Sequence, residues 1–157
     1  MLPVEQFVAL LPRCAMWAAL FFTDENDRPL LLRAVNQANV WQFPGGGAEE
    51  GEFPFETAVR EAKEETGISF EGRPRLLAVR FQPLRPDWPI NQLGLIFDGG
   101  RLSPEQLDEI VLDPAEHTEF DVRSLAGWQK ALSERRYAQL GRLLSARDGG
   151  DAAYLIG

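Results

Sequence analysis

Cysteine and histidine are almost missing from this chain, which has one of each, Cys14 and His117, in 157 residues. A lone cysteine excludes an intramolecular disulfide and fits a reducing, cytoplasmic setting. Together the two leave too few soft ligands for an ordinary zinc site. Positive charge is also short: 16 Lys and Arg face 24 Asp and Glu, a net charge of -8. That balance argues against a partner such as a nucleic-acid polymer, which is usually held by a basic face. Long apolar runs are lacking too. The run CAMWAALFF at 14–22 is too short to span a bilayer, follows Glu5 and has no small-residue cleavage site, so it reads as a buried strand and no membrane association is expected. No fixed-period repeat, low-complexity tract or long linker divides the chain.

What is present suits one core. With 45% hydrophobic and 10% aromatic residues, the sequence predicts a single domain over 1–157. Runs at 15–22 and 28–34, separated by TDEND, predict a β-hairpin. Further strands are predicted at 40–43, 75–82, 92–98, 119–123 and 153–156. PLRPDWPIN at 83–91 reads as a structured loop. Helices are predicted at 54–66, stopped by Gly67, in a short capped segment from Ser103-Pro104, and over 125–147, with a break near Ser133. This mixture gives an α/β (α+β) class with a mixed sheet covered by helices. The apolar segment MLPVEQFVALL would pack on its own domain or on a partner.

The most informative stretch is GGGAEEGEFPFETAVREAKEETGI, residues 45–68. On a helix, Glu64 and Glu65 fall about 60° and about 40° to either side of Glu61, so three carboxylates share one face. Phe55, Ala58, Val59 and Ala62 occupy the neighbouring arc, which puts those acids at the edge of a core. Desolvation there sharpens their repulsion unless a cation sits among them. An all-oxygen donor set favours a hard ion, Mg²⁺ first, with Mn²⁺ able to substitute. Arg60 can pair with Glu64 or reach back to Glu52, which suits a structural role. Gly45, Gly46, Gly47 and Gly51 permit positive φ and let main-chain groups approach a ligand or metal. Glu49, Glu50 and Glu56 lie outside the set and read as solvated.

Gly46, Glu52, Arg60, Glu61, Glu64, Glu65, Gly67 and Ile68 keep the spacing G-x5-E-x7-R-E-U-x-E-E-x-G-U, where U is a bulky aliphatic. This resembles the signature box of the Nudix hydrolases, and only Ala62, at the first U, departs from it. The resemblance implies an α/β/α sandwich and Mg²⁺-dependent cleavage of a diphosphate linkage, by metal-activated water, in a nucleoside diphosphate linked to X. It implies metal ligation by Glu61, Glu64 and Glu65, joined by the Gly46 carbonyl, and support of Arg60 by Glu52. Glu64 is the favoured general base, with a loop glutamate as the alternative. Between Glu116 and Glu119, Glu116 is favoured as a further ligand because it falls in a polar loop. The family also implies a small-molecule substrate and homodimers.

The competing reading is a nucleotide-sensing or interaction module that keeps the fold without hydrolysis; the intact acid set favours the enzyme. Trp17, Trp41 and Phe43 read as core or site wall, and Trp88 divides evenly between packing and substrate contact. Arg33, Arg80 and Arg85 read as solvated or paired, the arginines at 135, 136, 142 and 147 as the polar face of a helix, and His117 as incidental.

Overall fold

The structure, a computed structural model, describes residues 2–37 and 39–156. In chain order its elements are α1 (Val4–Leu10), β1 (Cys14–Asp24), β2 (Leu30–Ala34), β3 (Trp41–Gln42), β4 (Gly45–Gly47), α2 (Pro54–Thr66), β5 (Leu76–Gln82), β6 (Asn91–Leu102), α3 (Pro104–Asp108), β7 (His117–Val122), α4 (Leu125–Trp128), α5 (Glu134–Arg147) and β8 (Ala153–Ile156). β1 is the spine because both of its faces are apolar. Ala18, Leu20 and Phe22 pack against Ala58 and Ala62 of α2. Phe21 points the other way, into a cluster with Leu140, Leu143 and Ala146 of α5. Helices on both sides of mixed strands give the expected α/β/α sandwich.

A five-stranded sheet runs β4-β1-β6-β5-β8, and a three-stranded one runs β3-β2-β7. β1 lies parallel to β6 and antiparallel to β4, so the larger sheet is mixed. The predicted hairpin does not form as a ladder. After a single Thr23–Pro29 bridge, β1 and β2 diverge into different sheets. The turn holds by itself: Asp24 accepts from the backbone N–H groups of Asn26 and Arg28 at 3.0 and 2.9 Å. Sequence pattern identified both strands but carried no signal for their parting.

Helix α2 stops where expected. Gly67 adopts φ 77° and its N–H reaches the Lys63 carbonyl at 2.8 Å, a left-handed cap that suits glycine. Glu56 is not merely solvated, since its carboxylate accepts from the Phe53 N–H at 3.3 Å at the helix start. Ser103 and Gln106 cap α3 reciprocally. The long C-terminal helix is broken where Ser133 caps α5 through the Arg136 N–H. Arg147 is a correction: it is buried, donating to Thr23 Oγ1 at 2.6 Å and lying 3.5 Å from Asp98. With Leu140, Leu143 and Leu144 it completes an i, i+3, i+4, i+7 stripe, so the helix must bury it. Helix α1 buries no residue; Leu2, Val4, Phe7, Val8, Leu10 and Leu11 are exposed, and Met1 of that segment lies outside the described residues. No helix among the described residues is long and apolar enough to cross a membrane.

Trp128 ties α4 to the smaller sheet. It is fully buried, donates through Nε1 to the Pro29 carbonyl at 3.0 Å, and meets Trp41 edge-on at 5.0 Å. Trp128→Ala is expected to cost about 3–5 kcal/mol in urea unfolding. Trp88→Ala, at a half-exposed loop position, is expected to stay within about 0.5 kcal/mol. Equal losses in the two variants would contradict this packing account.

Candidate active site at the glycine strand

The glycines before α2 serve close approach rather than positive φ. Gly45, Gly46 and Gly47 form β4 and are absent from the left-handed glycines, whereas Gly51 takes φ 80°. A Cβ on Gly46 would lie 2.5–2.6 Å from the Glu61 carboxyl group, and one on Gly45 would lie 2.4 Å from the Ala18 carbonyl oxygen. The missing side chain on Gly46 lets α2 settle on the sheet edge, and the one on Gly45 lets β4 lie close against β1. There the Gly45 N–H donates to Glu65 Oε2 at 2.7 Å.

Arg60 is the hub of the cluster, and the choice between Glu52 and Glu64 resolves into both. Its Nε and Nη2 donate to the two Glu52 oxygens at 2.8 and 3.0 Å, a bidentate fork. Nη1 donates to Glu61 at 2.9 Å and to Glu64 at 3.1 Å, and Nη2 also reaches the Gly47 carbonyl at 3.0 Å. Glu52 further accepts from Thr57 Oγ1 at 2.7 Å and from the Glu49 N–H at 3.0 Å. The Arg60 guanidinium, aided by those donors, pulls the Glu52 carboxyl down to about 2. This anchors the loop to the first turns of α2.

Glu61 and Glu65 show the opposite electrostatics. Burial raises the Glu61 carboxyl, with Glu64 and Glu116 adding repulsion. Glu65 is 3% exposed, and burial pushes it up to about 8 despite the Gly45 N–H, with Glu61 and Glu116 repelling it as well. Glu64 stays exposed, with Arg60 as its side-chain partner.

The loop glutamates separate in space. Glu116 brings a carboxylate oxygen within 4.8 Å of Glu65 and of a ring nitrogen of His117. Glu119 instead pairs with Arg33 at 2.7 Å. His117, read from sequence as incidental, is 2% exposed beside this cluster. Its Nε2 lies 2.8 Å from the Gln42 amide nitrogen and 3.8 Å from Glu65, while Nδ1 is buried with no hydrogen-bond partner among the described residues. Its adjacency to Glu116 was the available signal. The donor set fits a hard divalent cation: Glu61 and Glu65, raised by burial and repulsion, lie beside a strand whose carbonyls carry no covering side chain, with exposed Glu64 and Glu116 next to them.

On the other side of the glycine strand a cavity of about 390 Å³ opens, walled by Trp17, Phe43, Arg80, Trp88 and Arg136. Trp41 lies in the core, while Trp17 and Phe43 are wall residues in contact with it. Arg85 pairs with Asp87 as expected. Arg80 and Arg136 correct the sequence reading, since both are half-buried cavity residues and neither joins an ion pair among the described residues. Arg135 and Arg142 are exposed but donate to the β8 carbonyls of Ile156 and Tyr154.

Glu65 gives a pH test. A carboxyl raised in the folded state stabilises the fold while protonated, and that contribution is lost as pH rises from the ordinary carboxylate range through about 8. Between about pH 7.5 and 8.5, His117, held low by burial, is mostly neutral in folded and unfolded chains alike. Over that window the metal-free wild type is expected to lose stability relative to Glu65→Gln. Added Mg²⁺ is expected to restore it to the wild type alone. A metal-free difference that does not change with pH would contradict the burial argument.

Comparisons with known proteins bear on the family and the fold. The NUDIX domain family model matches residues 15–139. Nucleoside diphosphate-linked moiety X motif 6 of Xenopus laevis is 40% identical over 70 residues, 44% of this chain and 32% of that protein. RNA pyrophosphohydrolase of Cereibacter sphaeroides is 44% identical over 65 residues, 38% of this chain and 36% of that protein. This chain thus spans about a third of the length of these curated relatives. The crystal structure of a MutT protein from Methanosarcina mazei Go1 shares the fold at TM-score 0.69 and 22% identity, over 90% of this chain and 99% of that one. With a match over most of its length, the chain belongs to the NUDIX domain family.

Proposed function

We propose that the chain is a single-domain, Mg²⁺-dependent pyrophosphohydrolase acting on a small nucleoside diphosphate linked to another moiety. One observation carries the reading: Arg60 holds Glu52, Glu61 and Glu64, while Glu65, bonded to the bare glycine strand, meets Glu116 from the loop. Arg60 already spends two of its contacts on Glu52, so its charge leaves the cluster strongly anionic.

Glu61, Glu64 and Glu65 would hold the cation with the Gly46 carbonyl, and Glu116 would add an oxygen from the loop. The chemistry such a cation supplies when bound is neutralisation of diphosphate oxygens and a more acidic water. Glu64 is the proposed general base: it is exposed to an incoming water, and its hydrogen bond to Arg60, at 3.1 Å, is longer than those Arg60 makes to Glu52 and Glu61. Arg60 and Glu52 are positioning residues, fixing the loop against α2. Gly46 keeps the carbonyl accessible by carrying no side chain. A homodimer is part of the same reading by family likeness.

Glu64→Gln is expected to lower kcat by about 10²–10⁴-fold with little change in melting temperature. The assay follows phosphate and pyrophosphate release from nucleoside triphosphates, nucleotide sugars, dinucleoside polyphosphates and dinucleotides with Mg²⁺. Turnover that persists in excess EDTA, or full activity in Glu64→Gln, would refute the assignment.

A further inference from the structure

The cavity beside the glycine strand contains two guanidinium groups that the hydrolytic machinery does not use. Arg80, on β5, keeps a long 3.4 Å contact with the Gln82 amide oxygen, and its Nε is buried with no acceptor among the described residues. Arg136 projects from the first turn of α5 into the same cavity. In a chain of net charge -8, carboxylates are plentiful, and Arg28, Arg33, Arg60, Arg75, Arg101 and Arg123 all sit on one. Burying two like charges together without such a partner is costly. Burial lowers both groups' pKa, and Arg80 lowers that of Arg136 further.

Strand register fixes where these charges stand relative to the acid cluster. Gly47, Trp17, Gly94 and Arg80 are consecutive partners across β4, β1, β6 and β5, so they form one row. Three inter-strand steps put the Arg80 backbone roughly 14 Å from the glycine strand. The Trp17 ring lies over Gly94 between them, where a Cβ would come within 2.1 Å of it. The row therefore reads bare backbone, indole, bare backbone, guanidinium.

We infer that the cavity takes the part of the substrate beyond the diphosphate, and that this part bears its own anionic group, a phosphate or carboxylate, bound by Arg80 and Arg136. The inference rests on the chain being a diphosphate hydrolase. Two planar guanidiniums match the oxygens of either group, and Trp17 offers a surface for a ring linking the two ends. The anion neutralises a charge pair that no carboxylate among the described residues compensates.

The test is calorimetric titration of metal-free protein in EDTA with AMP, adenosine-5′-carboxylate and adenosine, which share one ring and differ in the anion. At least one of the two anionic compounds is expected to bind tenfold or more tighter than adenosine, with an advantage that shrinks as salt is added; the tighter of the two identifies the group. Arg80→Met and Arg136→Met are each expected to erase that advantage, leave adenosine binding unchanged, and raise the melting temperature of the free protein. Equal affinity for the three compounds, binding of none, a wild-type preference in both variants, or a fall in melting temperature would overturn the proposal. The wild-type comparison and its salt dependence stand even where a variant fails to fold. No turnover enters the measurement, so anion binding without hydrolysis of any diphosphate would remove the proposed activity and leave the pocket, and hydrolysis without anion binding would do the reverse.

Discussion

Everything at this site depends on how closely helix α2 approaches the edge strand β4. The Gly45 N–H donates to Glu65 at 2.7 Å, and the Glu61 carboxylate over Gly46 leaves no room for a side chain there. That approach sets the helix rotation. Rotation in turn carries Arg60 to Glu52 and the Gly47 carbonyl, sets Glu61 and Glu65 against the strand, and leaves Glu64 exposed beside Arg60. The arrangement costs folding free energy, since a buried Glu65 is pushed up to about 8, and Arg60 only partly offsets the repulsion. A fold that retains such a cluster is stabilised further by whatever cation binds to it.

The same strand divides two chemistries. Carboxylates from α2 and the loop before β7 crowd one side, and the apolar, arginine-containing cavity opens on the other. The glycine strand lines the cavity, as does Gln42, which also reaches His117. In the proposed reading, a diphosphate held at the edge would extend its substituent along the row from Gly47 to Arg80.

How much of this was legible follows from the range of each signal. The helix 54–66, its Gly67 stop and its three clustered acids are local, so spacing along the chain was sufficient. Arg60's double allegiance was half legible, because Glu52 and Glu64 were both in reach and only the fold brings Glu61 and Gly47 in as well. The parting of β1 and β2 was not legible, because their paired partners are β6 and β7, far along the chain. Arg136 and Arg147 were misread although their spacing from Leu140 and Leu143 was visible; residue type outweighed periodicity. Arg80 could not be read at all, since lacking a partner is a property of the whole surrounding shell.

The central claim is that the repelling carboxylates of α2 form a cation site. Its most direct test is titration with Mn²⁺ followed by electron paramagnetic resonance, comparing the wild type with a Glu61→Gln, Glu65→Gln double variant. Saturable Mn²⁺ binding by the wild type, displaced by excess Mg²⁺ and lost in the double variant, is the expected result. Indistinguishable Mn²⁺ binding by the two proteins would contradict the account.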